Sequence, residues 1–227
     1  MNRWNSKEKT FLLLGGDASL AQAFGDLARR QGFRVLATSR RRGTAISDDV
    51  FALDISSMKS IDIFLSEISK AEVSAVYCFL GAPYKGFISF EEYISVHLVN
   101  TFYLLEQLVA RFKILETEAL FYVSSRAARF PSRDAPYAIA KGGLTAGVQA
   151  LSKQAPPGTV VASILPGLIL ESSMSKDMGE ELTEEHMLRS GGRLLNVHGF
   201  ADELLELFNG LAPDQNGAII TIGPEYK

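Results

Sequence analysis

Short apolar runs alternate with amphipathic stretches along the chain. Most of these runs are continuous rather than alternating, which is typical of strands buried on both faces of a parallel sheet. Six runs have this character, and a weaker seventh lies at Val50–Leu53. The six are Thr10–Leu14, Arg34–Thr38, Val73–Leu80, Ala119–Val123, Thr159–Leu165 and Ala218–Ile222. The pattern therefore predicts seven strands.

Helical patterns fill the intervals between these runs. They cover Leu20–Gln31, Ser60–Ser69, Tyr93–Phe112, Tyr137–Leu151 and Asp202–Leu211. Alternating strands and helices predict an α/β fold, a Rossmann-like doubly wound parallel sheet of seven strands. We expect a single domain over residues 1–227, with a polar segment around residues 168–192 acting as a lid. Ligands of such folds bind beyond the carboxyl ends of the strands.

Composition excludes several classes of protein. The 227 residues include 23 Lys and Arg against 26 Asp and Glu, a net charge of −3 that gives no general attraction to nucleic acid or anionic membranes. The one cysteine, Cys78, excludes an internal disulfide and a multi-cysteine metal site. No apolar run approaches the ~20 residues needed to cross a bilayer. We expect a cytoplasmic protein without a metal site.

The turn after the first strand has the character of a phosphate site. Gly15 and Gly16 open it, Asp17 follows, and a helix begins near Ser19 and Leu20. Such a strand–turn–helix presents backbone N–H groups and a positive helix end to a pyrophosphate. The alternative is a tight turn that binds no ligand, because even a complete glycine fingerprint is only a hypothesis.

The second and third strands end in polar residues that would face a dinucleotide. Ser39 and Arg40 follow the second strand, where an acid would favour NAD. A guanidinium instead suits a 2′-phosphate, so the sequence predicts a preference for NADP(H), with NAD(H) possible. Arg41 and Arg42 fit a solvated basic turn. Asp54 suits the adenine amino group, or alternatively the start of the next helix.

The strongest chemical signal is a tyrosine and a lysine four residues apart. Tyr137 and Lys141 share one helix face, and Ser124, thirteen residues before the tyrosine, ends the fifth strand. A phenol has a pKa of ~10, and a neighbouring ammonium lowers it. Tyr137 is then suited to move a proton at an alcohol or carbonyl oxygen, and Ser124 to hydrogen-bond that oxygen.

With these motifs the chain resembles the short-chain dehydrogenase/reductase family over nearly its whole length. Asn100 matches the asparagine of the family's catalytic tetrad, whose other members match Ser124, Tyr137 and Lys141. The resemblance implies that Tyr137 is the acid/base, that Ser124 orients the reacting oxygen, and that Asn100 anchors a water of the proton relay. It also implies that Lys141 lowers the pKa of Tyr137 and holds hydroxyls of the nicotinamide ribose.

The resemblance also implies where the cofactor lies. The expected contacts are Gly15, Asp17, Ser19, Leu20, Ser39, Arg40, Asp54, Ile55, Leu80, Gly81, Tyr137, Lys141, Pro166, Gly167 and Ile169. Several motif positions differ from the family. Leu14 replaces a threonine, Ser19 and Ala21 replace the second and third glycines, and Gly81 alone is kept from an Asn-Asn-Ala-Gly segment. The chain looks like a divergent, classical-type member.

Two functions follow from this pattern. The first is an NADP(H)-dependent oxidoreductase that interconverts a carbonyl and a secondary alcohol on a small organic substrate. The alternative is a non-catalytic protein of the same fold that acts in nucleotide sensing or protein contacts. Epimerase or dehydratase chemistry is disfavoured, because only about 60 residues follow Pro166. The family resemblance further implies a homodimer or homotetramer.

The substrate side is expected to have apolar walls and one anion-binding arginine. The apolar candidates are Tyr84, Phe87, Phe130, Leu168, Ile169, Met174 and Met178. Arg126, Arg129 and Arg133 lie between the serine and the tyrosine. One of the three would bind an anionic group of the substrate, and at least two would be ordinary surface charges.

Overall fold

Seven parallel strands run through the centre of the molecule. The computed structural model describes residues 9–40, 49–85, 89–130, 132–170 and 194–223, together with 172, 175, 184, 187 and 188. The strands of the sheet are β1 (Thr10–Leu14), β2 (Arg34–Ser39), β3 (Val50–Ala52), β4 (Ala75–Cys78), β5 (Ala119–Val123), β6 (Val160–Pro166) and β9 (Ile219–Ile222). Their spatial order is β3-β2-β1-β4-β5-β6-β9. The predicted doubly wound seven-stranded sheet is confirmed.

Helices cover both faces of this sheet. They are α1 (Ser19–Arg30), α2 (Met58–Ile68), α3 (Phe90–Ile94), α4 (Thr101–Val109), α5 (Phe112–Leu115), α6 (Ala135–Leu151) and α7 (Val197–Asn209). Alternate residues of β1 point to opposite faces: Leu12 and Leu14 pack with α2, α4 and α6, whereas Phe11 and Leu13 pack with α1 and α7. Because both faces are covered, every residue of β1 is buried, which explains its continuous apolar sequence.

The predicted helix Tyr93–Phe112 is interrupted in the structure. A π-helical segment, Ser95–Asn100, separates α3 from α4, and α4 ends before the short helix α5. A π turn adds a residue to the helix and is frequent at functional sites. The segment ends at Asn100, whose Nδ2 donates to the carbonyl of Ile55 at 2.8 Å and so joins it to the loop after β3.

Near the carboxyl end of the chain two elements differ from the prediction. The last helix begins at Val197 rather than Asp202, because the Asn196 side chain caps it by accepting the N–H of Gly199 at 2.7 Å. Two short strands, β7 (Ile169–Leu170) and β8 (Leu195–Asn196), pair in parallel as a separate small sheet. They flank the predicted lid, most of which lies outside the described residues.

No helix within the described ranges is both long enough and apolar enough to cross a membrane. The same part of the chain contains no cluster of His, Cys, Asp and Glu suited to a metal ion. The candidate site residues predicted from the sequence lie at the carboxyl ends of the strands, where α1, α6 and the π-helical segment meet the sheet.

Candidate functional site

The first turn of α6 positions Tyr137. The Asp134 side chain caps this helix, with Oδ1 accepting the N–H of Tyr137 at 3.0 Å. Its other oxygen accepts the N–H of Tyr84 at 3.0 Å. Pro136 stands in the first turn, where a missing N–H costs nothing. The Asp134 carboxylate thus joins the start of α6 to the loop after β4. Tyr137 itself is buried, with 8% of its surface exposed.

Lys141 lies one helical turn after Tyr137 and is buried at the ends of β4 and β5. Its Nζ donates to the carbonyls of Leu80 at 3.1 Å and Val123 at 3.0 Å. The Nζ lies 5.9 Å from the centre of the Tyr137 ring. Burial lowers the pKa of Lys141 to about 8. Two carbonyl acceptors and a nearby aromatic ring therefore hold an amine whose pKa lies well below that of an exposed lysine.

The phenol of Tyr137 differs from the sequence-based expectation. Its pKa is raised rather than lowered, because burial opposes the charged phenolate. A hydrogen bond with the Ser125 side chain lowers the pKa, and the nearby charge of Asp134 raises it. Burial prevails, so Tyr137 carries its proton at neutral pH.

The two serines at the end of β5 make different contacts. Ser124 is buried, and its hydroxyl lies 2.7 Å from that of Thr145, which itself donates to the carbonyl of Lys141 at 2.7 Å. Ser125 is the serine that hydrogen-bonds the Tyr137 side chain. The structure therefore brings Ser125, not the predicted Ser124, to the phenol. The doubled serine at the strand end was the available sequence signal.

The π-helical segment contributes Asn100 and an unexpected histidine. Asn100 is buried, and its side chain is bonded to the carbonyl of Ile55, so this part of the predicted tetrad supports the loop after β3. His97 is also buried, with its ring centre 4.7 Å from that of Tyr93. Burial lowers the pKa of His97 to about 4, and the charges of Lys141 and Arg40 add to this effect.

The glycine turn is shaped by contact with β2. Gly15 has a φ of +80°, and its N–H donates to the Thr38 hydroxyl at 2.9 Å. The N–H of Gly16 donates to the Thr38 carbonyl at 2.9 Å, and a Cβ there would lie 2.9 Å from the Cβ of Ala37. Both glycines are therefore required by backbone conformation or close approach.

The start of α1 fits an anionic group. The residue before it, Ala18, provides no side-chain cap, and the first turn contains no acid. The backbone around Ser19 and Leu20 therefore has the donor character that a pyrophosphate requires. Ser19 and Ala21, which replace glycines of the family motif, both lie within this helix.

A carboxylate lies beside the turn that is expected to hold the phosphates of the cofactor. Asp17 Oδ2 accepts a hydrogen bond from the Ser39 hydroxyl at 2.9 Å. Both residues line a cavity of about 200 Å³ together with Gly16 and Thr38. Arg40 follows Ser39 and is exposed. Arg41 and Arg42 lie outside the described residues.

The Asp54 side chain accepts hydrogen bonds from a residue of its own loop. Its Oδ1 accepts the N–H of Ser56 at 3.0 Å and the Ser56 hydroxyl at 2.7 Å. Ser57, not Asp54, caps α2. Contact of Asp54 with adenine therefore stays a prediction, and so does that of its buried neighbour Ile55.

The loop after β4 lies directly against Lys141. Gly81 has a φ of +147°, and a Cβ there would lie only 2.6 Å from the Lys141 Nζ. The side chain of Leu80 faces Gly15, with its Cδ2 3.2 Å from the position of a Cβ at that glycine. A larger residue than glycine at position 81 would therefore collide with the Lys141 side chain. Cys78 is buried before it, and burial raises its pKa to about 11.

Pro166 and Gly167 stand at the end of β6. The N–H of Gly167 donates to the carbonyl of Ile222 at 3.1 Å. Ile169 begins β7, and its side chain is buried in the core shared with α1 and α7. Arg126 is buried beside Gly167, with Nη2 3.4 Å from the position of a Cβ at that glycine.

The apolar substrate walls are described only in part. Phe130 is half exposed, and Tyr84 and Leu168 are partly buried. Phe87, Met174 and Met178 lie outside the described residues. The structure thus brings Ser125, Tyr137, Lys141 and Gly81 together, whereas Ser124 turns towards Thr145.

Comparisons with known proteins identify the fold. No protein-family model and no curated protein sequence matches the chain. Among solved structures, it is similar to 4-hydroxyisoleucine dehydrogenase complexed with NADH, with a TM-score of 0.82, 16% identity, and 96% of this chain and 98% of that chain covered. A point variant of actinorhodin polyketide ketoreductase with NADPH gives a TM-score of 0.76 at 18% identity, with 96% of each chain covered.

A short-chain dehydrogenase family protein from Francisella tularensis gives a TM-score of 0.75 at 14% identity, with 96% of this chain and 98% of that chain covered. At such identities the likeness shows the fold, which is that of short-chain dehydrogenases and ketoreductases. The family resemblance drawn from the sequence is therefore confirmed at the level of the fold, across nearly the whole chain.

Proposed function

We propose that the chain is a nicotinamide-dependent oxidoreductase, a divergent short-chain dehydrogenase/reductase that interconverts a carbonyl and a secondary alcohol on a small organic substrate. The observation that carries this proposal is the arrangement of Tyr137, Lys141 and Ser125. A buried phenol hydrogen-bonds one serine, and an amine lies one turn away at the carboxyl ends of β4 and β5. The similar structures that hold NADPH and NADH support the choice of cofactor.

The protonation state of Tyr137 suits the reduction of a carbonyl. Because its pKa is raised, Tyr137 is an acid at neutral pH and is able to donate to a carbonyl oxygen. The Ser125 hydroxyl would orient that oxygen. The charge of Lys141 would stabilise the phenolate that remains after proton donation, from an Nζ 5.9 Å from the ring centre.

The residues around the glycine turn fit a dinucleotide. The N–H groups at the start of α1, near Ser19 and Leu20, would hold the pyrophosphate, since the N-cap residue Ala18 has no side chain that caps this helix. The loop of Leu80 and Gly81 and the turn of Pro166 and Gly167 would flank the nicotinamide half. When bound, the cofactor supplies or accepts a hydride.

Two residues of opposite charge, Arg40 and Asp17, lie where the adenosine ribose of the cofactor is expected. The exposed Arg40 favours a 2′-phosphate, and on this ground we retain NADP(H) as the preferred cofactor. Asp17, bonded to Ser39, opposes a phosphate and favours ribose hydroxyls. The two charges together make a moderate preference, with NAD(H) also accepted.

Oligomerisation is the second part of the proposal. Val99 in the π-helical segment and Ile139 on α6 expose 57% and 51% of their surfaces. Such apolar side chains on packed helices support a homodimer or homotetramer, because association would remove them from water.

A non-catalytic role in nucleotide sensing or protein contacts is the second candidate. It is favoured by Ser19, which stands at the start of α1 where the family motif has a glycine, because a side chain there leaves less room for the pyrophosphate. Cofactor binding separates the two candidates. Fluorescence titration with NADPH and NADH, followed by a panel of carbonyl compounds monitored by NADPH absorbance, tests the oxidoreductase. Tighter NADPH binding and turnover support it, whereas binding of neither nucleotide up to millimolar concentration contradicts it.

A further inference from the structure

The loop after β4 is attached to α6 at two points. Near its start, the carbonyl of Leu80 accepts a hydrogen bond from the Lys141 Nζ at 3.1 Å. Further along, the N–H of Tyr84 donates to Asp134 Oδ2 at 3.0 Å. Tyr137 lies between these two attachments in the sequence of α6, three residues after Asp134 and four before Lys141. The position of the phenol relative to the loop therefore depends on both contacts.

A contact with another helix fixes the same loop. The Tyr93 hydroxyl on α3 donates to the carbonyl of Ala82 at 2.6 Å. Tyr93 is buried, and burial raises the pKa of its phenol, so this donor keeps its proton. The rings of Tyr84 and Tyr93 meet edge to face, with their centres 5.4 Å apart. Asp134 thus attaches the first turn of α6 to a stretch of loop that α3 also holds.

A carboxylate suits this position because it has two acceptor oxygens and no donor. Oδ1 of Asp134 accepts the N–H of Tyr137 at 3.0 Å while Oδ2 accepts that of Tyr84, so both oxygens are used. Hydrogen bonds to an ionised acceptor are also stronger than those between neutral groups. An asparagine would cap α6 equally well, but it would turn an amide donor towards Tyr84. Capping alone therefore does not require an aspartate here, whereas the bond with Tyr84 does.

We propose that Asp134 is a positioning residue, which fixes the Tyr137 phenol relative to the loop after β4 by holding both backbone N–H groups at once. This inference rests on the proposed function and adds a residue that acts through Tyr137. In the reduction, the carbonyl carbon gains a hydride from the reduced cofactor and its oxygen gains the proton of Tyr137. The phenol must therefore keep its distance to that oxygen, and a displacement of about 1 Å can cost about 100-fold in rate.

The test separates the bond with Tyr84 from the cap of α6. Steady-state kinetics use the full chain, NADPH and the carbonyl compound that the wild-type protein reduces fastest, starting from acetophenone. Asp134→Asn keeps the cap, so its Tm should stay within about 2 °C of the wild-type value while kcat falls about 10- to 100-fold. The kcat/KM should fall by the same factor, because the lost contact matters in the transition state. Asp134→Ala should lose both kcat and Tm.

The matched control is the cap of another helix. The Ser57 side chain caps α2 by accepting the N–H of Ser60 at 3.3 Å. Ser57→Ala should lower Tm by about 2–4 °C, as expected for Asp134→Ala, because each variant loses one helix cap. Its kcat should stay within about twofold of the wild-type value. A loss of stability alone would thus be distinguished from a displaced phenol.

Amide hydrogen exchange reads the two bonds of Asp134 without any turnover. It is followed by NMR on the full chain in the absence of cofactor. In Asp134→Asn the Tyr84 amide should exchange about tenfold faster or more, and the Tyr137 amide should stay within about threefold of the wild-type rate. Asp134→Ala should accelerate both. This exchange pattern in a protein that reduces no carbonyl compound would remove the oxidoreductase and leave the attachment of the loop in place.

Two results would overturn the role of Asp134. One is an Asp134→Asn variant whose kcat stays within about twofold of the wild-type value. The other is a Tyr84 amide that exchanges at the same rate in the wild-type protein and in both variants. Either result, combined with turnover by the wild-type protein, would leave the oxidoreductase in place. If Asp134→Ala does not fold, Asp134→Asn carries the comparison, because it keeps the helix cap.

Discussion

The two serines at the end of β5 give opposite expectations when each is replaced by alanine. Ser125 hydrogen-bonds the Tyr137 side chain, so Ser125→Ala removes a group that orients the reacting oxygen. Loss of one positioned donor of this kind lowers kcat by about 10²- to 10³-fold. Ser125 also caps the short turn that follows by accepting the N–H of Ala127 at 3.2 Å. Loss of that cap should cost about 0.5–1 kcal/mol of unfolding free energy.

Ser124→Ala is expected to change stability instead of activity. It removes the buried contact with the Thr145 hydroxyl, which still donates to the carbonyl of Lys141. The unfolding free energy should fall by about 1 kcal/mol, which for a chain of this size lowers Tm by about 2–4 °C. The kcat should stay within about twofold of the wild-type value.

The assay for this pair combines steady-state kinetics on a reduced carbonyl compound with urea denaturation of each variant. The two readouts matter because a misfolded variant loses both turnover and most of its unfolding free energy, whereas loss of a site residue lowers kcat far more than a change of about 0.5–1 kcal/mol in stability explains. A large loss of kcat in Ser124→Ala together with full turnover in Ser125→Ala would refute the assignment of Ser125 to the site.

Three further predictions concern the surroundings of the site. Gly81→Ala places a Cβ 2.6 Å from the Lys141 Nζ, so the amine must move and kcat should fall about tenfold or more, with a smaller change in cofactor Kd. The pKa of His97 is about 4 in the folded protein against 6.5 when exposed, so the unfolded chain binds more protons in this window. Stability should therefore fall by roughly 3 kcal/mol as the pH drops from 6.5 to about 4, and urea titrations should show a shallower pH dependence in His97→Gln. Asp17→Asn should tighten NADPH binding about five- to tenfold relative to NADH, and Arg40→Ala should do the reverse, as measured by fluorescence titration.

The sheet was predictable because its strands are buried on both faces. A strand such as β1, with every residue buried, has a continuous apolar sequence that stands out from any neighbouring helix. The path of the helix after Tyr93 was not predictable in the same way. Its π-helical segment is joined to the rest of the fold by the bond between Asn100 and Ile55, which are 45 residues apart in the chain.

The choice between Ser124 and Ser125 shows why spacing alone was insufficient. Successive residues at the end of a strand point in opposite directions, so a shift of one residue exchanges the side chain that reaches Tyr137. The raised pKa of Tyr137 was also missed, because the proximity of Lys141 is local in sequence whereas burial is produced by the whole fold.

Two charged residues of the site depend on contacts between distant segments. Asp17 meets Ser39 across 22 positions of the chain, and this bond places a carboxylate beside the expected position of a phosphate. Arg126 is distinguished from Arg129 and Arg133 only by its burial against Gly167. These residues were candidates from the sequence, but their burial and their partners are known only from the structure.

The turnover of Tyr137→Phe tests the central claim most directly. This variant removes the phenolic oxygen while keeping the ring that packs near Lys141. We expect NADPH oxidation in the presence of a carbonyl substrate to fall at least about 100-fold, with NADPH binding unchanged by fluorescence titration. Full turnover by Tyr137→Phe would contradict the proposal that this phenol donates the proton.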